Sequence, residues 1–185
     1  MDIILDENYE RTFLIKMAIC SDNENQLLKF LSICIDNEEN SLSFNNLLSM
    51  IPEMLMIRQN PIQSILQWRL SNWGIAYDCD SIVKDVKSVE TVFEQKELRK
   101  YNEYLQYTTL SNIPAKLFLK LSNHFTDLKF ILIFIRNDLF VCGQLMIEKG
   151  QILDRTVIEG FNETTIRVSR LMYDENYPNI KYGII

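Results

Sequence analysis

The stretch Leu128-Lys129-Phe130-Ile131-Leu132-Ile133-Phe134-Ile135-Arg136 is the strongest strand signal in this chain. Strand alternation puts Phe130, Leu132 and Phe134 on one side and Ile131, Ile133 and Ile135 on the other. Both sides are apolar, so this is a central strand covered on both faces, or covered on one face and masked by a second element on the other. The residues C-terminal to it predict a meander. Asn137-Asp138 reads as a hairpin loop, since both residue types tolerate positive φ. Leu139 to Glu148 returns antiparallel, Lys149-Gly150 turns again, and Gln151 to Glu159 makes a third strand. Thr164 to Met172 reads as an edge strand or a short helix, and 173–185 as a tail.

Upstream, Thr12 to Cys20 is rich in β-branched and large apolar residues and predicts a strand. Ser21 with Glu24 fits a capping box, opening a helix over 22–35. The polar run 36–43 reads as a loop, and 44–54 as a short strand or helical turn ahead of irregular chain. Asn60 fits an N-cap, Pro61 the first helical position and Gln63 the return bond of a capping box. Ile62, Ile65, Leu66, Leu70 and Trp73 recur at helical spacing, and Gly74 fits the left-handed stop. That helix should enter a strand near Tyr77. In 81–94, Ile82, Val86, Val89 and Phe93 fit a helix, but Val83, Val86, Val89 and Val92 favour strand with a turn around Asp85; 95–103 reads as charged surface and 104–110 as strand. Ser111-Asn112-Ile113-Pro114 opens a helix over 113–125, with Leu117, Phe118, Leu121 and Phe125 as its buried face.

Strands and helices in this order predict an α+β, ferredoxin-like sandwich. Its antiparallel sheet would carry helices mainly on one face. The 185 residues suit a single domain with extra C-terminal hairpin strands and a tail.

Four stretches resemble the YubB ferredoxin-like domain family of phages and plasmids. They are Phe44 to Met54; Trp68 through Asn72-Trp73-Gly74 to Tyr77-Asp78; Tyr107 to Pro114; and Phe125 to Gly143. Leu110 stands where the family usually has an aromatic, and Ile75-Ala76 replaces a more polar pair. The resemblance implies the fold and a mobile-element origin, and no established activity comes with it.

The net charge of −6 argues against sequence-independent nucleic-acid binding and against attraction to anionic membranes. It suits a protein partner with a basic surface. Tyr104, Phe130, Phe134 and Phe140 are strand aromatics, yet no basic residues interleave with them as base stacking would require. Cys20, Cys34, Cys79 and Cys142 form no C-x-x-C pair and read as buried free thiols of a reducing cytosol. No signal peptide and no membrane span is expected, which points to a cytoplasmic chain.

Asp78 and Asp80 lie at i and i+2 of the expected strand and so face one side. With a third oxygen donor they would suit Mg²⁺ or Ca²⁺, but a solvated strand end outweighs that reading. Cys142 and His124 are the only thiol and imidazole near each other in the chain, one in a strand and one at a helix end. A plain strand position for Cys142 outweighs catalysis by that pair. No cofactor and no metal is expected.

The function expected is a non-enzymatic, protein-binding accessory protein of a phage or plasmid. Inhibition of a host defence or nucleic-acid-handling protein is one form of it. The binding surface is placed at Trp73, Tyr77, Asp78 and Asp80, an aromatic anchor rimmed by charge. The competing reading is a small-ligand domain or Mg-dependent hydrolase or nuclease using Asp78 and Asp80.

Overall fold

The computed structural model describes residues 11–36, 41–48, 61–84 and 99–173. The expected Asn60 cap, the turn at Asp85 and the tail beyond Tyr173 lie outside the described residues, as does the Gln63 side chain. The chain runs β1 (Thr12–Ser21), α1 (Glu24–Cys34), β2 (Ile35–Asp36), β3 (Ser41–Leu42), α2 (Phe44–Leu47), α3 (Pro61–Asn72) and β4 (Asp80–Lys84). It continues with β5 (Tyr101–Leu110), α4 (Ala115–His124), β6 (Leu128–Arg136), β7 (Val141–Glu148), β8 (Gln151–Glu159) and α5 (Glu163–Tyr173). This is an α+β fold. Among the described residues six strands form one sheet in the order β4-β5-β1-β6-β7-β8, with every neighbouring pair antiparallel. β2 and β3 make a separate short hairpin.

β6 is buried from Leu128 to Ile135, as its sequence requires. Its even-numbered side chains join Phe13, Ile15, Met17 and Ile19 of β1 in the larger core, under Phe30 of α1, Phe44 of α2 and Phe118 of α4. Edge-on aromatic contacts organise that core: Phe44 meets Trp73, Tyr107 and Phe118, and Phe30 meets Phe125. The odd side chains Ile131, Ile133 and Ile135 face a smaller core with Leu14, Ala18, Cys142 and Met146, closed by Val168 and Met172 of α5. Thus α1, α2 and α4 share one face, and α5 is the element that masks the other.

The 164–172 segment is therefore helix, and a side-chain cap explains its start. Asn162 Oδ1 accepts from the N–H groups of Thr164 and Thr165, while Thr165 Oγ1 accepts from Asn162 N. Three other boundaries differ from the sequence reading for local reasons. Ser21 stays in the β1 ladder and its hydroxyl binds Asn23 N, so the cap of α1 is Asn23, whose side chain accepts from Gln26 N. The β6–β7 loop covers 137–140, because Asp138 holds Arg136 Nε at 2.8 Å and the Phe140 N–H at 2.9 Å, placing Leu139 at φ +59°. β5 begins at Tyr101, where Arg99 and Asn102 exchange hydrogen bonds at the strand entrance. The Lys149-Gly150 turn stands as expected, with positive φ at both residues.

Gly143 is where the hairpin strands close on the core. A Cβ there would collide with the Thr156 carbonyl oxygen and lie 2.6 Å from the Phe134 ring. Only glycine lets Phe134 and β8 approach this closely.

Candidate functional site

The stretch expected to bind a partner is held together by its backbone. α3 ends at Asn72 and Gly74 takes φ +86°, the left-handed stop that its sequence predicts. Trp73 follows α3 directly and is fully buried, with its indole N–H donating to the Leu48 carbonyl at 3.1 Å. That burial takes it out of the expected binding surface: the ring packs at 6.0 Å from Trp68 and under the Arg69 guanidinium. Tyr77 is exposed, but it precedes the strand, which starts at Asp80. Asp78 is half-buried and is no solvated strand end. Its Oδ1 accepts from Phe44 N at 2.8 Å and Cys79 N at 2.9 Å, closing the first turn of α2 against the approach to β4. Asp80 pairs with Thr108 across the β4–β5 ladder. Among the described residues, no group of three or more His, Cys, Asp or Glu is placed to hold a metal ion.

His124 and Cys142 are kept apart by the sheet. His124 ends α4 against Phe125 on one face, whereas Cys142 belongs to the core under α5 on the other. Burial pushes the Cys142 thiol up to about 11. All four cysteines are free thiols.

A polar cleft of about 350 Å³ opens at one end of the sheet, lined by Asp22, Asn23, Arg99, Thr126, Asp127, Glu148 and Lys149. Arg99 is its hub. One guanidinium nitrogen donates to the Asp127 carbonyl at 2.9 Å, another to Glu148 Oε1 at 2.8 Å, and Nε lies 3.9 Å from Asp22. The carboxylates are engaged in turn: Asp127 accepts from Asn23 Nδ2 at 2.9 Å, and Asp22 from Lys100 N at 3.2 Å. The arrangement clamps the turns before α1, after α4 and after β7 to the entrance of β5. Nothing in the charged run around Arg99 distinguishes this hub from a solvated surface.

The opposite situation holds at β8. Among the described residues β8 pairs with β7 alone, so its other side is a free sheet edge. Ile152, Leu153 and Val157 are exposed along it, and Phe140 and Phe161 are exposed at its C-terminal end. The bond from Gly160 N to the Phe140 carbonyl, 2.8 Å, fixes the phase of the ladder. Counting back through the regular pairs Val141–Glu159 to Leu145–Arg155, the N–H and C=O of Arg155, Val157 and Glu159 point away from β7. The sequence alone does not single out these β8 residues. A signal is present in the alternation of Arg155, Val157 and Glu159, but alternation does not say which strand ends a sheet.

Comparison with family models, curated proteins and solved structures yields no match to this chain. Among the described residues no helix is long and apolar enough to cross a membrane.

Proposed function

We propose that this chain is a non-enzymatic, protein-binding accessory protein that engages its partner through the edge of β8. One observation carries the reading: a nine-residue strand at the sheet edge, on which the apolar Ile152, Leu153 and Val157 are exposed, flanked by exposed Phe140 and Phe161. An unpaired edge offers regularly spaced donors and acceptors to another backbone, and side chains flanking it select the partner. Asp78 tied to backbone and the separation of Cys142 from His124 support a binding role over catalysis by those groups.

The scaffold we propose is ferredoxin-like. In the order β4-β5-β1-β6, β1 lies between β5 and β6, which α4 connects, as in interleaved βαβ units. The β7–β8 hairpin then extends the sheet, and α5 covers its second face. The likeness to YubB domains favours a phage or plasmid origin, and the −6 charge favours a basic host protein among the targets, with inhibition as the action.

The test is affinity capture from bacterial lysate with the intact chain and a Val157→Pro variant. Proline would remove an N–H that points away from β7, leaving the β7 ladder intact. A captured protein should be lost from the variant while its circular dichroism stays native. A partner retained by the folded variant contradicts the use of this edge.

A further inference from the structure

We infer that the β8 edge pairs with the β8 edge of a second copy of this chain, antiparallel, about a two-fold axis through Val157. The inference rests on the proposed use of this edge and names one occupant for it. Arg155, Val157 and Glu159 sit on one side of the sheet, opposite Leu145, Gly143 and Val141 in the β7 ladder. All three are exposed. Among the described residues neither Arg155 nor Glu159 takes part in a salt bridge. They cannot pair with each other within the strand, since positions i and i+4 lie about 13 Å apart.

A two-fold axis at Val157 resolves this. Residues whose numbers sum to 314 then face each other, so Arg155 meets Glu159 of the second copy, and the reverse pair forms by symmetry. Directly opposite side chains on one face approach within contact distance, and opposite charges there attract. The backbone phase agrees: Arg155, Val157 and Glu159 are the residues whose N–H and C=O point outward, so each facing pair exchanges hydrogen bonds.

Neighbouring registers fail on charge. An axis at Arg155 sets the guanidinium against its own copy. An axis at Thr156 sets Arg155 against Val157 and leaves the glutamates unmatched. Charge and hydrogen-bond phase thus select one register, in which two six-stranded sheets become a continuous one.

The experiment is sedimentation velocity of the full chain over a concentration series, with R155E, E159R and the R155E/E159R double variant. The wild type should dimerise. Each single variant creates two like-charge pairs and should weaken the dimer roughly ten-fold or more, while the double variant restores it to near the wild-type value. These positions are exposed, so native circular dichroism is expected in all three. A wild type that stays monomeric at every concentration overturns the inference. So do single variants that dimerise like wild type, or a double variant as weak as the singles. A monomeric wild type whose captured partner is lost on Val157→Pro overturns self-pairing alone. A partner indifferent to Val157→Pro overturns the edge reading beneath it.

Discussion

β6 and β8 are strands of nine residues each in the same sheet, and they differ in almost everything that decides their role. β6 has a hydrogen-bonded neighbour on each side and a core on each face, and its residues are buried from Leu128 to Ile135. Among the described residues β8 has one neighbour, and exposed residues recur along its whole length. The first strand is consumed by folding. The second keeps backbone groups and apolar side chains in excess of what folding uses. A strand of that kind is a liability unless something covers it. The difference teaches where to look for function: at the strand whose interactions are left over.

The sharpest way to break the comparison is to cut into both strands. Phe130→Ala in β6 removes a fully buried ring that packs on Phe30 and Phe118, and should cost about 3–5 kcal/mol of stability by urea unfolding. Phe161→Ala, beside β8, removes a ring that is 67% exposed and should change stability by no more than about 0.5 kcal/mol. A comparable loss at both positions would mean that the C-terminal flank of β8 packs into the core after all.

Gly143→Ala tests the seam between the two strands. The added methyl meets Phe134 of β6 and the Thr156 carbonyl of β8 together, so overpacking of about 1–3 kcal/mol is expected. Asp78→Ala should cost a similar amount, about 1–3 kcal/mol, by leaving the Phe44 N–H without its acceptor. Both are read by thermal or urea unfolding. An unchanged Asp78→Ala variant would return that carboxylate to the solvated role the sequence suggests.

Asp78 also marks how far the sequence reaches. Elements written into local chemistry are legible: the two-sided apolar pattern of β6, the Pro61 start and Gly74 stop of α3, the buried stripe of α4 and the Lys149-Gly150 turn. What depends on distant partners is not. Trp73 looks like an anchor because its helix ends beside two acids, yet the Leu48 carbonyl, far away in sequence, holds it in the core. Thr164 to Met172 is ambiguous because β-branched residues occupy a segment whose cap, Asn162, lies outside the run. Arg99 clamps turns separated by most of the chain, and no spacing rule reports that. The β8 edge is invisible for a simpler reason: strand order is a property of the whole sheet.

A smaller effect comes from pH. The Cys142 thiol rises from its ordinary 9.0 to about 11 because burial disfavours the thiolate. The folded chain therefore holds this proton more tightly than the unfolded chain. Its contribution to stability is present below pH 9 and is lost as pH rises from about 9 to 11. Unfolding free energies of wild type and Cys142→Ala should accordingly converge or cross over that window. A constant difference across it would place the thiol in contact with solvent.

The central claim, that β8 holds back a row of backbone groups for a second chain, is tested most directly by residue-resolved amide hydrogen exchange at low and high protein concentration. At low concentration Thr156 and Ile158, which face β7, should be protected, while Arg155, Val157 and Glu159 exchange freely. At high concentration the same three amides should become protected. Free exchange of all three at every concentration, or protection already present in a demonstrably monomeric sample, would contradict that claim.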